Sequence, residues 1–157
     1  MIAPIQHEGY VSAKQGCTWH VCISGFLQDE SKPNGVLRLW LEKIRRLGSY
    51  HENVFTTYRR WNDDFSELAE LIWRTKGGNG KFKARVGIYA YSWGAGHGAL
   101  KLAEEHGQRG IRVEVMVLSD PVSRSWSRLF RWLAVTSIPS IVYPENVNRI
   151  DWFYQRE

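Results

Sequence analysis

The sequence contains little cysteine and no long apolar run. Its two cysteines, Cys17 and Cys22, are five residues apart in a predicted strand. Because an odd separation places side chains on opposite faces of a strand, we expect no disulfide between them. No CxxC pair or cysteine–histidine cluster with metal-ligand spacing occurs, so the sequence predicts neither a metal site nor a cofactor. No apolar run approaches the roughly 20 residues of a membrane-spanning helix, and we expect no such span.

The first 16 residues also lack the features of a targeting segment. A secretory signal has a basic region followed by an apolar one, and "MIAPIQHEGY" has neither. We therefore expect a cytoplasmic protein. We interpret residues 1–16 as an irregular lead-in and residues 17–157 as one domain, since a chain of 157 residues usually forms a single domain with its own core.

Basic residues and tryptophan are plentiful: the net charge is +5 and there are eight tryptophans. A basic chain is compatible with binding nucleic acid, anionic lipid or an acidic substrate. The basic residues are scattered along the sequence, however, which favours a role in solubility, so nucleic acid is not the expected partner. No internal repeat or low-complexity segment occurs.

The chain alternates between strand-like and helix-like segments. The predicted strands are 17–25, 53–61, 84–92, 111–121 and 145–155, and the predicted helices are 36–48, 63–80, 98–110 and 123–135. Such alternation predicts an α/β fold, a three-layer sandwich with a mainly parallel sheet of about five or six strands. In such a sheet the ligand site lies beyond the carboxyl ends of the strands.

Apolar residues at helical spacing support the first two helices. The stripes are Leu37, Trp40, Leu41 and Ile44 in one helix and Phe65, Leu68 and Ile72 in the next. Gly48 is predicted to end the first helix. Asp64 with Glu67 predicts a capping box at the start of the second, and Gly77-Gly78 its end.

The segment "IYAYSWGAGHGAL", residues 88–100, places a serine between a strand and a helix. Ser92 is flanked by Ala90 and Gly94, which gives the pattern A-x-S-x-G. This is the G-x-S-x-G nucleophile elbow with alanine in place of the first glycine. The small residues let the following helix approach the sheet, and Gly96 extends the run.

On these residues and the β/α order, the chain from about Cys17 onward resembles the α/β-hydrolase family. The resemblance implies a serine esterase or lipase-like enzyme with Ser92 as nucleophile and a small-molecule ester or lipid-like substrate. In "ISGF", Ser24 stands where the family often has histidine. The oxyanion donors implied are the backbone N–H groups of Trp93 and of Phe26 or Leu27.

The resemblance also implies a catalytic acid and a histidine base. Asp120 in "LSDPV" matches one position that the family uses for the acid. Glu157 follows the next strand, at the more common position, and Asp151 lies within that strand. The family's histidine follows the last strand, but no histidine follows His106 in this sequence.

Three interpretations of the missing histidine stay open: a continuation of the chain supplies it, another histidine replaces it, or the domain is inactive. His97, on the nucleophile's helix, and His7, in the lead-in, are the alternatives within the chain. His20, His51 and His106 are interpreted as structural.

The segment "SRSWSRLFRWL" interleaves arginine with aromatic residues. They are Arg124, Arg128, Arg131, Trp126, Phe130 and Trp132. In lipases the corresponding segment can be a lid, and a basic aromatic lid would suit an acidic or lipid-surface substrate. The favoured interpretation is an ordinary covering helix with solvated arginines.

Two other function classes stay open. Gly94-x-Gly96-x-x-Ala99, with Asp120 ending the next strand, also fits a dinucleotide-binding pattern. That fingerprint normally follows the first strand of a domain, whereas here two β-α units precede it. The other class is a hydrolase-like interaction module without catalysis.

Overall fold

The computed structural model describes residues 17–26, 28, 35–50, 53–75, 84–121 and 142–153. Strands and helices alternate along the chain. The strands are β1 (Thr18–Ile23), β2 (Val54–Arg59), β3 (Arg85–Tyr91), β4 (Val113–Ser119) and β5 (Ile150–Phe153). The helices are α1 (Gly35–Tyr50), α2 (Phe65–Arg74) and α3 (Ala99–Gln108), and a π-helical turn, Gly94–Gly98, leads into α3.

The five strands form one sheet in the order β2-β1-β3-β4-β5, and every neighbouring pair is parallel. The predicted α/β class with a mainly parallel sheet is therefore confirmed. In this strand order the chain reverses its winding direction between β1 and β3. A crevice opens at such a point beyond the carboxyl ends of the two strands, and ligands bind there in open α/β sheets.

One face of the sheet is covered by α2 and α3. The α2 stripe is buried as the spacing predicts: Phe65, Leu68 and Ile72 are each at most 3% exposed and pack in the main core with Ala99 and Leu102 of α3. Asp64 caps α2 by accepting a hydrogen bond from the Ser66 N–H at 2.9 Å.

The predicted ends of the first two helices, at Gly48 and at Gly77-Gly78, were both wrong. Helix α2 ends at Arg74, and Thr75 closes it by donating its hydroxyl hydrogen to the Ile72 carbonyl at 2.7 Å. Helix α1 continues past Gly48 to Tyr50. A single glycine within a helix costs only about 1 kcal/mol relative to alanine, so Gly48 does not by itself stop the helix.

Helix α1 covers the opposite face. Leu41 and Ile44 of its predicted stripe are buried against Cys22, while Trp40, half-buried, packs beside them with Tyr89. Burial raises the pKa of the Cys22 thiol to about 12, so the thiol stays protonated at neutral pH.

The two cysteines are both free and buried, Cys17 in the core under α2 and α3 and Cys22 in the core under α1. The prediction that their side chains lie on opposite faces of the sheet is confirmed. Within the described ranges no helix is long and apolar enough to cross a membrane. Several predictions lie outside the described residues: the lead-in 1–16, the helix or lid 123–135, Leu27, His7, His51 and Glu157.

Candidate functional site

Ser92 lies in a tight turn directly after the central strand β3. Its φ is 52°, in the left-handed region that a residue with a side chain rarely adopts. The Ser92 N–H donates to the Ser119 carbonyl at 2.9 Å, and the Ser92 carbonyl accepts from the Gly96 N–H at 3.0 Å. The backbone is therefore held from both sides, by β4 and by the π-helical turn. The side chain is partly exposed.

The glycine two residues later has no room for a side chain. A Cβ on Gly94 would lie 2.4 Å from the Ser24 carbonyl oxygen and 2.7 Å from that of Ile23. Both are backbone atoms that cannot rotate away. Ala90, two residues before Ser92, is fully buried in the main core, and Gly96 is buried as well. The small residues thus bring the π-helical turn that leads into α3 against the end of β1.

The loop after β1 lies beside Ser92. A Cβ added to Gly25 would be only 3.0 Å from the Ser92 Cβ. Gln28 holds this loop: its side-chain Oε1 accepts from the Gly25 N–H at 3.1 Å, and its carbonyl accepts from the Ser24 hydroxyl at 3.2 Å. Sequence reasoning did not single out Gln28, because it stands in "QDESKPNG", which indicates only a turn.

Two backbone N–H groups in this region have no acceptor within the described residues. Gln28 occupies the N–H of Gly25, but the N–H of the next residue, Phe26, donates to no described acceptor. Trp93 stands at the start of the π-helical turn, where N–H groups have no partner within the helix. The side-chain rings of these two residues are 5.7 Å apart. A helix amino terminus also carries partial positive charge, which favours a developing oxyanion.

Asp120 directly follows β4, the strand next to the serine strand. Its φ is 45°, and its N–H donates to the Phe153 carbonyl at 2.8 Å. Tyr91 pairs with Ser119, so Ser92 and Asp120 follow neighbouring strands at the same level. The side chain of Asp120 is partly buried.

The alternative acid within the described residues, Asp151, lies inside β5 and pairs with Val117. Its two carboxylate oxygens accept from Nε and Nη2 of Arg149, each at 2.9 Å. The carboxylate of Asp151 is thus already paired with Arg149. Its mid-strand position also places it away from the edge of the sheet where Ser92 lies.

Three histidines lie in the described residues, and none hydrogen-bonds to Ser92 there. Nδ1 of His20 is 3.1 Å from the Tyr89 hydroxyl in mid-sheet, and His106 is fully buried in the last turn of α3. His97 stacks on Trp93 with ring centroids 5.1 Å apart. Burial, and secondarily the charge of Lys101, lowers the pKa of His97 below its usual 6.5.

Four rings meet beside Ser92, and we call them the aromatic cluster: Phe26, Trp61, Trp93 and His97. Trp61 follows β2, and its ring centroid is 5.3 Å from that of Trp93 and 6.1 Å from that of Phe26. Phe26 stays 51% exposed. The segments after β1, β2 and β3 contribute Phe26, Trp61 and Trp93, and the π-helical turn contributes His97.

Gly94, the first glycine of the dinucleotide pattern, packs closely against the backbone of Ile23 and Ser24. Among the described residues no group of three or more histidine, cysteine or acidic side chains could hold a metal ion.

The fold and the site define a class: a parallel α/β protein with a serine in the strand–helix turn at the reversal of winding. No protein-family model, curated protein or solved structure matches the chain.

Proposed function

We propose that the protein is a serine hydrolase that cleaves carboxylic esters by acyl transfer, with Ser92 as the nucleophile. The observation that supports this most strongly is the left-handed backbone of Ser92 at the carboxyl end of the central strand. Strained conformations of non-glycine residues concentrate at functional sites. A sharp strand-to-helix turn of this kind exposes the nucleophile at the top of the sheet in the α/β-hydrolase pattern.

In the proposed reaction, Ser92 Oγ bonds to the ester carbonyl carbon while its proton passes to a base. The carbonyl oxygen becomes an oxyanion that accepts hydrogen bonds from the N–H groups of Phe26 and Trp93. Each such donor lowers the barrier by about 3 to 4 kcal/mol. When the tetrahedral intermediate collapses, the bond to the alkoxide oxygen breaks and that oxygen takes the proton from the base and leaves as the alcohol. Water then gives a proton to the base and attacks the acyl-enzyme carbonyl, and Ser92 regains a proton from the base as the acid is released.

Asp120 is the proposed acid. Its place after the strand next to β3 suits a carboxylate that orients a histidine and stabilises its protonated form. His97, inside the aromatic cluster, and His7, outside the described residues, are the candidates in this chain for that base. Burial lowers the pKa of His97, which favours the neutral imidazole, the form that accepts a proton.

The expected substrate is a small-molecule or lipid-like ester. A cytoplasmic location accords with two buried cysteines that remain free, since disulfides are rare in that compartment.

The test is active-site labelling with a fluorophosphonate probe. We expect the wild-type protein to be labelled and Ser92→Ala to lose the label, while Ser66→Ala, a serine on α2, keeps it. His97→Gln and His7→Gln identify the base, because the variant that lacks it labels slowly. Absence of labelling in the wild type, or equal labelling of wild type and Ser92→Ala, would exclude Ser92 as nucleophile.

A further inference from the structure

Two residues of the aromatic cluster adjoin the candidate nucleophile along the backbone. Trp93 is the residue after Ser92, and Phe26 follows the glycine whose Cβ position is 3.0 Å from the Ser92 Cβ. Both rings contact the ring of Trp61, and His97 closes the cluster by stacking on Trp93. Two of the four rings therefore belong to residues whose backbone adjoins Ser92.

Phe26 and Trp93, whose backbone N–H groups are the proposed oxyanion donors, also supply two of the four rings of the aromatic cluster. In the proposed reaction the N–H groups of Phe26 and Trp93 bind the carbonyl oxygen, so the carbonyl carbon is held next to their side chains. The acyl group is the part of the substrate that stays bonded to Ser92 through both steps. It is thus the part that remains against the rings.

From this arrangement we infer that the aromatic cluster is the acyl-binding subsite of the enzyme and that it selects esters of aromatic acids. The inference rests on the proposed function, because it needs an acyl group on Ser92.

The spacing of the rings favours a flat aromatic group over a long alkyl chain. The ring centroids of Phe26, Trp61 and Trp93 are 5.3 to 6.1 Å apart with tilted planes. Aromatic pairs prefer centroid separations of about 4.5 to 7 Å, and a substrate ring on the exposed face of Phe26 continues this array. The cluster is a compact patch, whereas a long alkyl chain needs an extended apolar groove.

The experiment compares three sulfonyl fluorides, because these reagents transfer a sulfonyl group with its organic substituent to serine and have fluoride as a common leaving group. In each reaction the Ser92 Oγ–S bond forms, the S–F bond breaks, fluoride departs, and the hydroxyl proton passes to the base. Phenylmethanesulfonyl, methanesulfonyl and octanesulfonyl fluoride are used. Each rate, measured by mass spectrometry of the intact protein, is divided by that reagent's hydrolysis rate in the same buffer. We expect the phenylmethyl reagent to be about tenfold faster than either alkyl reagent.

Variants assign the preference to the cluster. We expect Trp61→Leu, which removes one ring, to reduce the phenylmethyl-to-methyl rate ratio by about three- to tenfold. The matched control is Trp73→Leu, since Trp73 is 45% exposed at the far end of α2. Thr75, just beyond Trp73, accepts a hydrogen bond from the indole N–H of Trp19. Because Trp19 lies near the start of β1, Trp73 is at the edge of the sheet opposite to Ser92.

The outcomes separate the two proposals. If neither the fluorophosphonate nor any sulfonyl fluoride modifies Ser92, the proposed function fails, and the subsite assignment fails with it. If Ser92 is modified but the octyl reagent is as fast as the phenylmethyl one, or if Trp61→Leu keeps the wild-type ratio, the nucleophile stands and the aromatic subsite is overturned.

Discussion

Ser92 and Asp120 directly follow Tyr91 and Ser119, which pair in neighbouring parallel strands, and both have left-handed backbones, with φ of 52° and 45°. The Ser92 N–H donates to the carbonyl of Ser119, the residue before Asp120, at 2.9 Å. This hydrogen bond links the two turns. Nucleophile and acid of the proposed mechanism stand at the same edge because of this register.

The first prediction tests the strain at these two positions. Glycine adopts positive φ without the steric cost of about 1 to 2 kcal/mol that a Cβ imposes. We expect Ser92→Gly to be more stable than Ser92→Ala by about 1 kcal/mol, and the same order for Asp120→Gly and Asp120→Ala. Urea denaturation measures the free energies of unfolding.

The control for this comparison is Glu104, an exposed residue inside α3. There the order should reverse, with the glycine variant about 1 kcal/mol less stable than the alanine variant. The same order at Ser92 as at Glu104 would contradict a left-handed turn at the serine.

The second prediction concerns the contact between the π-helical turn and β1. We expect Gly94→Ala to lower the free energy of unfolding by about 3 kcal/mol, because its Cβ would collide with the backbone oxygens of Ile23 and Ser24. Gly107→Ala is the control: its nearest neighbours, 3.3 Å away, belong to the Asn146 side chain, and we expect a change within about 1 kcal/mol. Equal effects of the two substitutions would show that Gly94 has free space.

The third prediction concerns Gln28, which holds the loop that carries Phe26. Gln28→Met keeps the length of the side chain but removes the acceptor for the Gly25 N–H. We expect fluorophosphonate labelling of Ser92 to slow about fivefold, which corresponds to the roughly 1 kcal/mol of one hydrogen bond. Gln108→Met, at the exposed end of α3, should label at the wild-type rate. An unchanged rate in Gln28→Met would mean that the loop needs no such support.

The fourth prediction concerns pH and His20. Burial lowers the pKa of His20 in the folded protein below the 6.5 of the unfolded chain. The unfolded state therefore binds the proton first as pH falls, so the stabilising contribution is complete above about pH 6.5 and is lost as pH falls toward the folded-state pKa. We expect the loss of stability between pH 7.5 and 5 to be smaller in His20→Gln than in the wild type.

Tyr89→Phe controls for the hydrogen bond between Tyr89 and His20, because it removes the hydroxyl partner but keeps the titrating imidazole. Its pH dependence should stay close to that of the wild type. Burial also lowers the pKa of His97, so some pH dependence should remain in His20→Gln. If the stability of His20→Gln falls with pH as steeply as that of the wild type, His20 has the same pKa in the folded and unfolded states and the prediction is wrong. Urea midpoints at the two pH values give the comparison.

Periodicity alone predicted the alternating architecture and the buried stripe of α2, because burial of one helix face requires apolar residues at three- and four-residue spacing. It also placed Cys17 and Cys22 on opposite faces of the sheet. The helix ends were not predictable in the same way. Whether Gly48 or Thr75 ends a helix depends on energies of about 1 kcal/mol, and contacts formed elsewhere in the chain easily exceed these.

The sequence by itself determined the parallel α/β class and the position of Ser92 between a strand and a helix, since both depend on the local order of residue types. Only the tertiary structure decided which loops surround that serine. Strand order brings the end of β1 beside the end of β3, although about 70 residues separate Gly25 from Ser92. The aromatic cluster and the support that Gln28 gives to the loop after β1 both depend on this proximity. They could not be predicted locally, because contacts between distant segments depend on how the whole sheet is assembled.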